Sequence, residues 1–120
     1  MSELCKYDTT FLTIGSSRVC SHNMTPALNT GVSISSVSVT DVTDEGVATG
    51  DLSILSVQVN SASYVEDSTQ DTVAIGKAAQ WQISTSSTES KLYKLKINVA
   101  TDATPSDTIV DYVYIQFSEG

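Results

Sequence analysis

The stretch Leu92-Tyr93-Lys94-Leu95-Lys96-Ile97-Asn98-Val99 alternates apolar and polar residues without a break, and Val113-Tyr114-Ile115-Gln116-Phe117 repeats the pattern. Successive strand side chains point to opposite faces, so a period of two marks a strand with one face on a core and the other turned away from it. A turn-rich segment from Thr101 to Asp107, containing Pro105, joins the runs. Together they predict a hairpin of Leu92 to Val99 against Ile109 to Phe117. This register sets Lys94 near Tyr114 and Lys96 near Tyr112 on the outward face. Rings beside aliphatic Lys stems make an amphipathic surface suited to a protein partner. The same four residues also make an ordinary cross-strand ladder, worth about 0.2 to 1 kcal/mol per pair and needing no partner. Asp111 conflicts with the register, since it would point at the core beside Ile109 and Val113. A bulge or a later strand start is expected there.

Upstream, short apolar runs alternate with turn chemistry. Val32 and Ile34 begin a strand opened by Gly31, and the alternation changes phase at Ser35-Ser36 before resuming at Val37 and Val39. A slip of one residue moves side chains to the other face, so a bulge or a strand switching sheets is expected. Asp41 to Gly46 and Thr49-Gly50-Asp51 are turn material. A strand from Leu52 to Val59 follows, with a second slip at Ile54-Leu55. Glu66 to Asp71 is a polar loop, Val73 to Ile75 a short strand, and Gly76 a break. Ala79, Trp81 and Ile83 alternate next, and Ser84 to Ser90 is a polar turn. No helix of ordinary length and no internal repeat is expected.

About seven to nine short strands at this spacing favour an all-β fold, an immunoglobulin-like two-sheet β-sandwich. Residues 1–30 hold both Cys, both Met, the only His and the only Arg. They read as an extended N-terminal arm with one or two strands, leaving residues 31–120 as the sandwich domain. Tyr93, two residues before an inward Leu95, sits where a tyrosine corner would stand, its phenol closing the preceding turn onto upstream backbone. Trp81 would then be core.

Composition excludes several functions. The 120 residues are 40% hydrophobic, enough for a core, and only 17% charged. The net charge is −8, with acids spread along the chain and no cluster of cations. Nucleic acid and anionic membrane need such a cluster and are not expected as partners. No apolar run approaches a membrane span. Met1 to Asp8 lacks a basic segment followed by an apolar one, so no Sec-type signal is expected.

Chemistry-bearing residues are few. Cys20, His22 and Met24 alternate and share a strand face, but one His without a Cys-x-x-Cys pair makes metal binding a minor reading. Asp41, Asp44, Glu45 and Asp51 offer oxygen ligands without the spacing of a calcium loop, and solvated turn residues are the default. Cys5 and Cys20 read either as plain thiols or, with Cys5 on an exposed arm, as an intersubunit disulfide formed on oxidation. No base, nucleophile and orienter can be named together, so no enzyme is expected and no cofactor.

Three segments carry a resemblance: the opening from Tyr7-Asp8 to Thr25, the Ile34 to Val39 run, and the turn-Tyr-x-Leu-x-Ile-x-Val strand from Tyr93 to Val99 with its closing strand. In these the chain resembles small immunoglobulin-like virion proteins of tailed bacteriophages, the fibre-tail adaptor or neck type. The resemblance implies a non-enzymatic structural protein of the head-tail neck, collar or fibre attachment, assembled in the host cytoplasm into the virion. Its partners would be other virion proteins, portal, tail, collar, fibre or major capsid protein, with the chain itself a homo-oligomer. A capsid decoration protein is the alternative, at hundreds of copies per particle against a dozen or so for a neck ring. A bacterial surface or carbohydrate-binding sandwich is a further alternative, which exposed aromatics would support.

Overall fold

The expected hairpin forms the centre of one sheet. In this computed structural model, which describes residues 9–66 and 70–119, strands β8 (Lys91–Thr101) and β9 (Thr108–Ser118) pair antiparallel, with Lys94 opposite Tyr114 and Lys96 opposite Tyr112. Their inward residues Tyr93, Leu95, Ile97, Val99, Val113, Ile115 and Phe117 are all buried. Side chains of this size contribute about 1.5 to 3 kcal/mol each when removed from water, so the alternation is itself the main stabilising feature.

The remaining strands are β1 (Thr9–Thr13), β2 (Arg18–Asn23), β3 (Ile34–Asp41), β4 (Leu52–Val59), β5 (Tyr64–Val65), β6 (Thr72–Val73) and β7 (Ala78–Thr85). One sheet runs β1-β9-β8-β3 and the other β2-β7-β4, with β5 and β6 forming a small hairpin. The chain is therefore an all-β, two-layer sandwich, and its described residues contain no α-helix, only one 3-10 turn at Thr25–Ala27. Trp81, 2% exposed, lies between the layers as expected, with Cys20 and Ile83 from the same sheet and Met24 from just beyond β2.

The stretch read as an arm contributes an edge strand to each sheet. β1 lies parallel to β9, with Thr9 beside Tyr114 and Thr13 beside Ser118. β2 runs antiparallel to β7, pairing Cys20 with Trp81. Leu12 and Cys20 pack on the core from these two strands.

The bulge at Ser35-Ser36 is present, as a register shift between Ile34 and Ser36. The second irregularity falls later than expected, between Leu55 and Gln58, where Ser56 adopts φ 53°. Gly31 does not open β3: with φ 82° it lies in a turn closed by the Val32 N–H donating to the Asn29 carbonyl at 3.0 Å, and the strand pairing begins at Ile34. The short strand expected at Val73 to Ile75 is Thr72–Val73, and Ile75 is 60% exposed in the following turn.

That turn is pinned by Asn60, 2% exposed. Its Oδ1 accepts from the backbone N–H groups of Lys77 and Ala78 at 3.0 and 2.9 Å, and its Nδ2 donates to the carbonyls of Ala62 and Ala74 at 3.0 and 2.9 Å. One side chain thus ties together four backbone groups of the turn, beside the Lys77 N–H to Ala74 carbonyl bond at 3.3 Å. Gly76 completes the arrangement with φ 82°, where a Cβ would also lie 3.3 Å from that of Ser33.

Asp111 needs neither a bulge nor a later strand start. The β8–β9 register runs through Ile97 opposite Asp111, and the inward carboxylate crosses to His22 on the facing sheet at the margin of the interlayer.

Candidate interaction surface

The outward residues of β8 and β9 make a continuous polar and aromatic face. Lys94, Lys96, Tyr112 and Tyr114 are all half-buried there, and Lys94 Nζ sits 4.7 Å from the centre of the Tyr112 ring. This diagonal contact adds a cation–π attraction to the direct pairs foreseen from the alternation. Val42 and Gly46 rise beside Lys94, Lys96 and Tyr112 to wall a shallow cradle of about 270 Å³.

The segment after β3 forms that wall because it turns back tightly. Asp44 and Val47 pair across Glu45 and Gly46, whose φ values of 52° and 90° suit a hairpin turn of the primed type. Its base is tied to β8 by Val42 N–H donating to the Lys94 carbonyl at 2.9 Å and Lys94 N–H donating to Thr43 Oγ1 at 2.9 Å. The backbone beneath Lys94 is therefore fixed by the loop that faces its side chain.

Asp41, expected as a solvated turn residue, is instead buried at 7% exposure. Its Oδ1 accepts from Thr43 N and Oγ1 at 3.0 and 2.5 Å, and its Oδ2 from Thr49 N and Oγ1 at 3.0 and 2.9 Å. Burial works against the charge, but these four donors together outweigh it and hold the carboxyl below its ordinary range. Thr49 Oγ1 also lies 2.6 Å from Asp51 Oδ1, so one hydroxyl is shared between two carboxylates. Asp51 is held low in turn, first by that hydroxyl and then by Lys91 and Tyr93 against some burial. The Asp51 carboxylate raises Lys91 from 3.1 Å.

Tyr93 closes this network. Its phenol donates to Asp51 Oδ1 at 3.1 Å and lies 2.7 Å from Thr85 Oγ1, which is itself 3.1 Å from the Asp51 carbonyl. The expected tyrosine corner is thus present in position but differs in partners. The ring is fully buried, edge-on to Phe117 at 5.9 Å, and the side chains of Thr85 on β7 and of Asp51 just before β4 reach the hydroxyl. Nothing in a Tyr-x-Leu triplet identifies Asp51 and Thr85 as those partners.

At the opposite side of the sandwich, His22 Nε2 is 2.8 Å from Asp111 Oδ2. Cys20, two residues earlier on the same inward face, is a free thiol at 8% exposure. Burial pushes its pKa up to about 11 against the lowering influence of Arg18. A thiol so placed faces the core. Cys5 lies outside the described residues. No group of three or more His, Cys, Asp and Glu among the described residues is placed to hold a metal ion.

No family model and no curated protein matches the chain. Solved structures do. The chain is similar to the periplasmic chaperone SfaE, with a TM-score of 0.52 and 9% identity over 95% of this chain and 55% of the chaperone. It is also similar to a family 123 glycoside hydrolase from Clostridium perfringens, with a TM-score of 0.45 and 11% identity over 96% of this chain and 23% of the hydrolase. The likeness to the chaperone shows an immunoglobulin-like sandwich and extends over about half of that protein. At these identities it shows the fold alone.

Proposed function

We propose that this chain is a non-enzymatic structural protein of a tailed-phage virion, a neck, collar or fibre-attachment component that works through protein contacts and is assembled in the host cytoplasm. Its resemblance to small immunoglobulin-like virion proteins supplies the setting. The observation that carries the contact surface is the β8–β9 face. Lys94 and Lys96 have no carboxylate partner among the described residues, and they stand beside Tyr112 and Tyr114 in a chain of net charge −8. Unneutralised cations next to half-buried aromatics on a rigid sheet form a patch of opposite sign to the rest of the molecule. Such a patch selects an acidic partner surface and gives it a fixed orientation.

Quantitative proteomics of purified particles tests the setting, with stoichiometric recovery expected and absence overturning it. A dozen or so copies supports the neck or fibre address, whereas hundreds would move the chain to the capsid surface as a decoration protein. A double substitution Lys94→Glu with Lys96→Glu tests the face. Both side chains are outward, so the isolated variant should keep its fold while its incorporation into particles falls. Unchanged incorporation would overturn the assignment of this surface.

A further inference from the structure

We infer that the cradle at Lys94 and Lys96 docks an extended acidic segment of a partner protein, one with carboxylate side chains on alternate residues lying along β8, which deepens the reading of this face as a contact surface and rests on it. Lys94 and Lys96 stand two apart on β8 and both point outward. Alternate residues of a strand repeat at about 6.8 Å on one face. An extended segment with acids at alternate positions presents carboxylates at the same interval, so it meets both ammonium groups at once. Neither lysine has a carboxylate partner among the described residues. Of the acids nearby, Asp41 accepts from Thr43 and Thr49 and Asp111 reaches His22. Asp44 and Glu45 do not line the cradle, which is made by Val42, Gly46, Lys94, Lys96 and Tyr112.

The width of the site excludes a helix. The Val42 N–H donates to the Lys94 carbonyl at 2.9 Å, as a paired strand would, so the wall stands one strand spacing from β8. Tyr112 and Tyr114 stand one spacing away on the other side, on β9. Two spacings make about 9.6 Å, whereas a helix with its side chains needs about 10 to 12 Å. An extended backbone fits between Val42 and the rings with its inward side chains on the lysines. The wall and the backbone of Lys94 are already tied to one another, so docking has little to order on this side. Charge also sets the length of the occupant. The chain carries −8 overall, and a whole acidic surface laid on it would meet that charge. Fields beyond about 8 Å are screened at physiological salt, so a short segment confined to the cradle meets the two lysines and little else.

Titration of the full chain with the acetylated, amidated peptide Thr-Glu-Thr-Glu-Thr, followed by backbone amide NMR shifts, should give saturable changes at Val42, Gly46, Lys94, Lys96 and Tyr112. A peptide with adjacent acids, Thr-Glu-Glu-Thr-Thr, turns its carboxylates to opposite faces when extended and should bind about threefold more weakly. The neutral Thr-Gln-Thr-Gln-Thr should not saturate. Lys94→Gln with Lys96→Gln should weaken the alternating peptide by about fivefold or more. Both side chains are outward, so an unchanged melting curve is the expected control. Absence of saturable shifts, equal binding of the two acidic peptides, or full affinity in the double variant would each overturn the inference. Tighter binding of an oligogalacturonate than of the alternating peptide would overturn it in favour of an acidic glycan. Failure of the peptide to bind, together with impaired incorporation of the Lys94→Glu, Lys96→Glu variant into particles, overturns this inference alone and leaves the contact face standing. Peptide binding with unimpaired incorporation overturns the role of the face in the particle and leaves the recognition of the segment intact.

Discussion

His22 on β2 and Asp111 on β9 join the two sheets through a single contact, Nε2 to Oδ2 at 2.8 Å. Each residue sits on the inward face of its strand, so the pair satisfies two polar groups that would otherwise disturb an apolar interlayer. The carboxylate side chain is 38% exposed and the imidazole 10%, which makes this a margin contact and not a fully buried ion pair. Asp111→Ala should therefore lower stability by about 1 to 3 kcal/mol, the cost of taking a partner from a buried ring nitrogen. Asp111→Asn, which keeps an acceptor oxygen, should retain most of it. Urea denaturation of the parent and both variants measures the difference.

Asn60 should be among the most sensitive positions in the chain. Asn60→Ala removes two acceptor and two donor contacts to backbone groups, and loses about 2 to 4 kcal/mol. Asn60→Asp is expected to be no milder. Its second oxygen would face the carbonyls of Ala62 and Ala74, where the amide now donates. Thermal melts of the two variants distinguish loss of the side chain from reversal of its donor.

Acid sensitivity should arise from the network beneath the Lys94 face. Asp41 and Asp51 are both held low in the fold, so between their folded values and the ordinary carboxylate range of about 4 the unfolded chain binds more protons. Their stabilising contribution is complete above that range and disappears as pH falls through the lowered values. Lys91 is raised, and its contribution is complete below the ordinary lysine range and lost as pH rises through the folded value. Melting temperature should therefore fall on acidification below about pH 4, and Asp41→Asn should flatten that fall. A melting temperature independent of pH on the acid side would refute the assignment.

Cys20 should be chemically quiet in the native protein. A thiol with pKa about 11 in place of 9.0 holds about 100-fold less thiolate near neutral pH, and burial limits reagent access as well. In a Cys5→Ser background, titration with an aromatic disulfide reagent should be slow until denaturant is added. Rapid labelling of the native chain would show that β2 opens readily from β7.

The β8–β9 hairpin was legible in the sequence down to individual cross-strand pairs, because eleven-residue strands with one buried face leave a strict alternation. The bulge near Ser35 was legible for the same reason, as a break in phase. β1 was not. A five-residue uncharged strand whose neighbour lies over a hundred positions away has no local signature for a parallel pairing. Asp111 and Tyr93 were legible in position and not in partnership. His22 and Thr85 come from other strands and Asp51 from the bend before β4, and sequence patterning reports which face a side chain takes without reporting what meets it there. The same applies to the candidate surface, where Lys94, Lys96, Tyr112 and Tyr114 could be placed on one face but the wall from Val42 and Gly46 could not.

The pairing of β1 with β9 has a consequence for how the molecule is made. The strand that bridges β1 to β8 is the last of the nine described strands in chain order. During synthesis from the amino terminus, the first strand waits without its neighbour until the ninth emerges from the ribosome. Completion of that sheet is therefore a late event, and shortening the polypeptide through β9 would leave β1 stranded from the layer it belongs to.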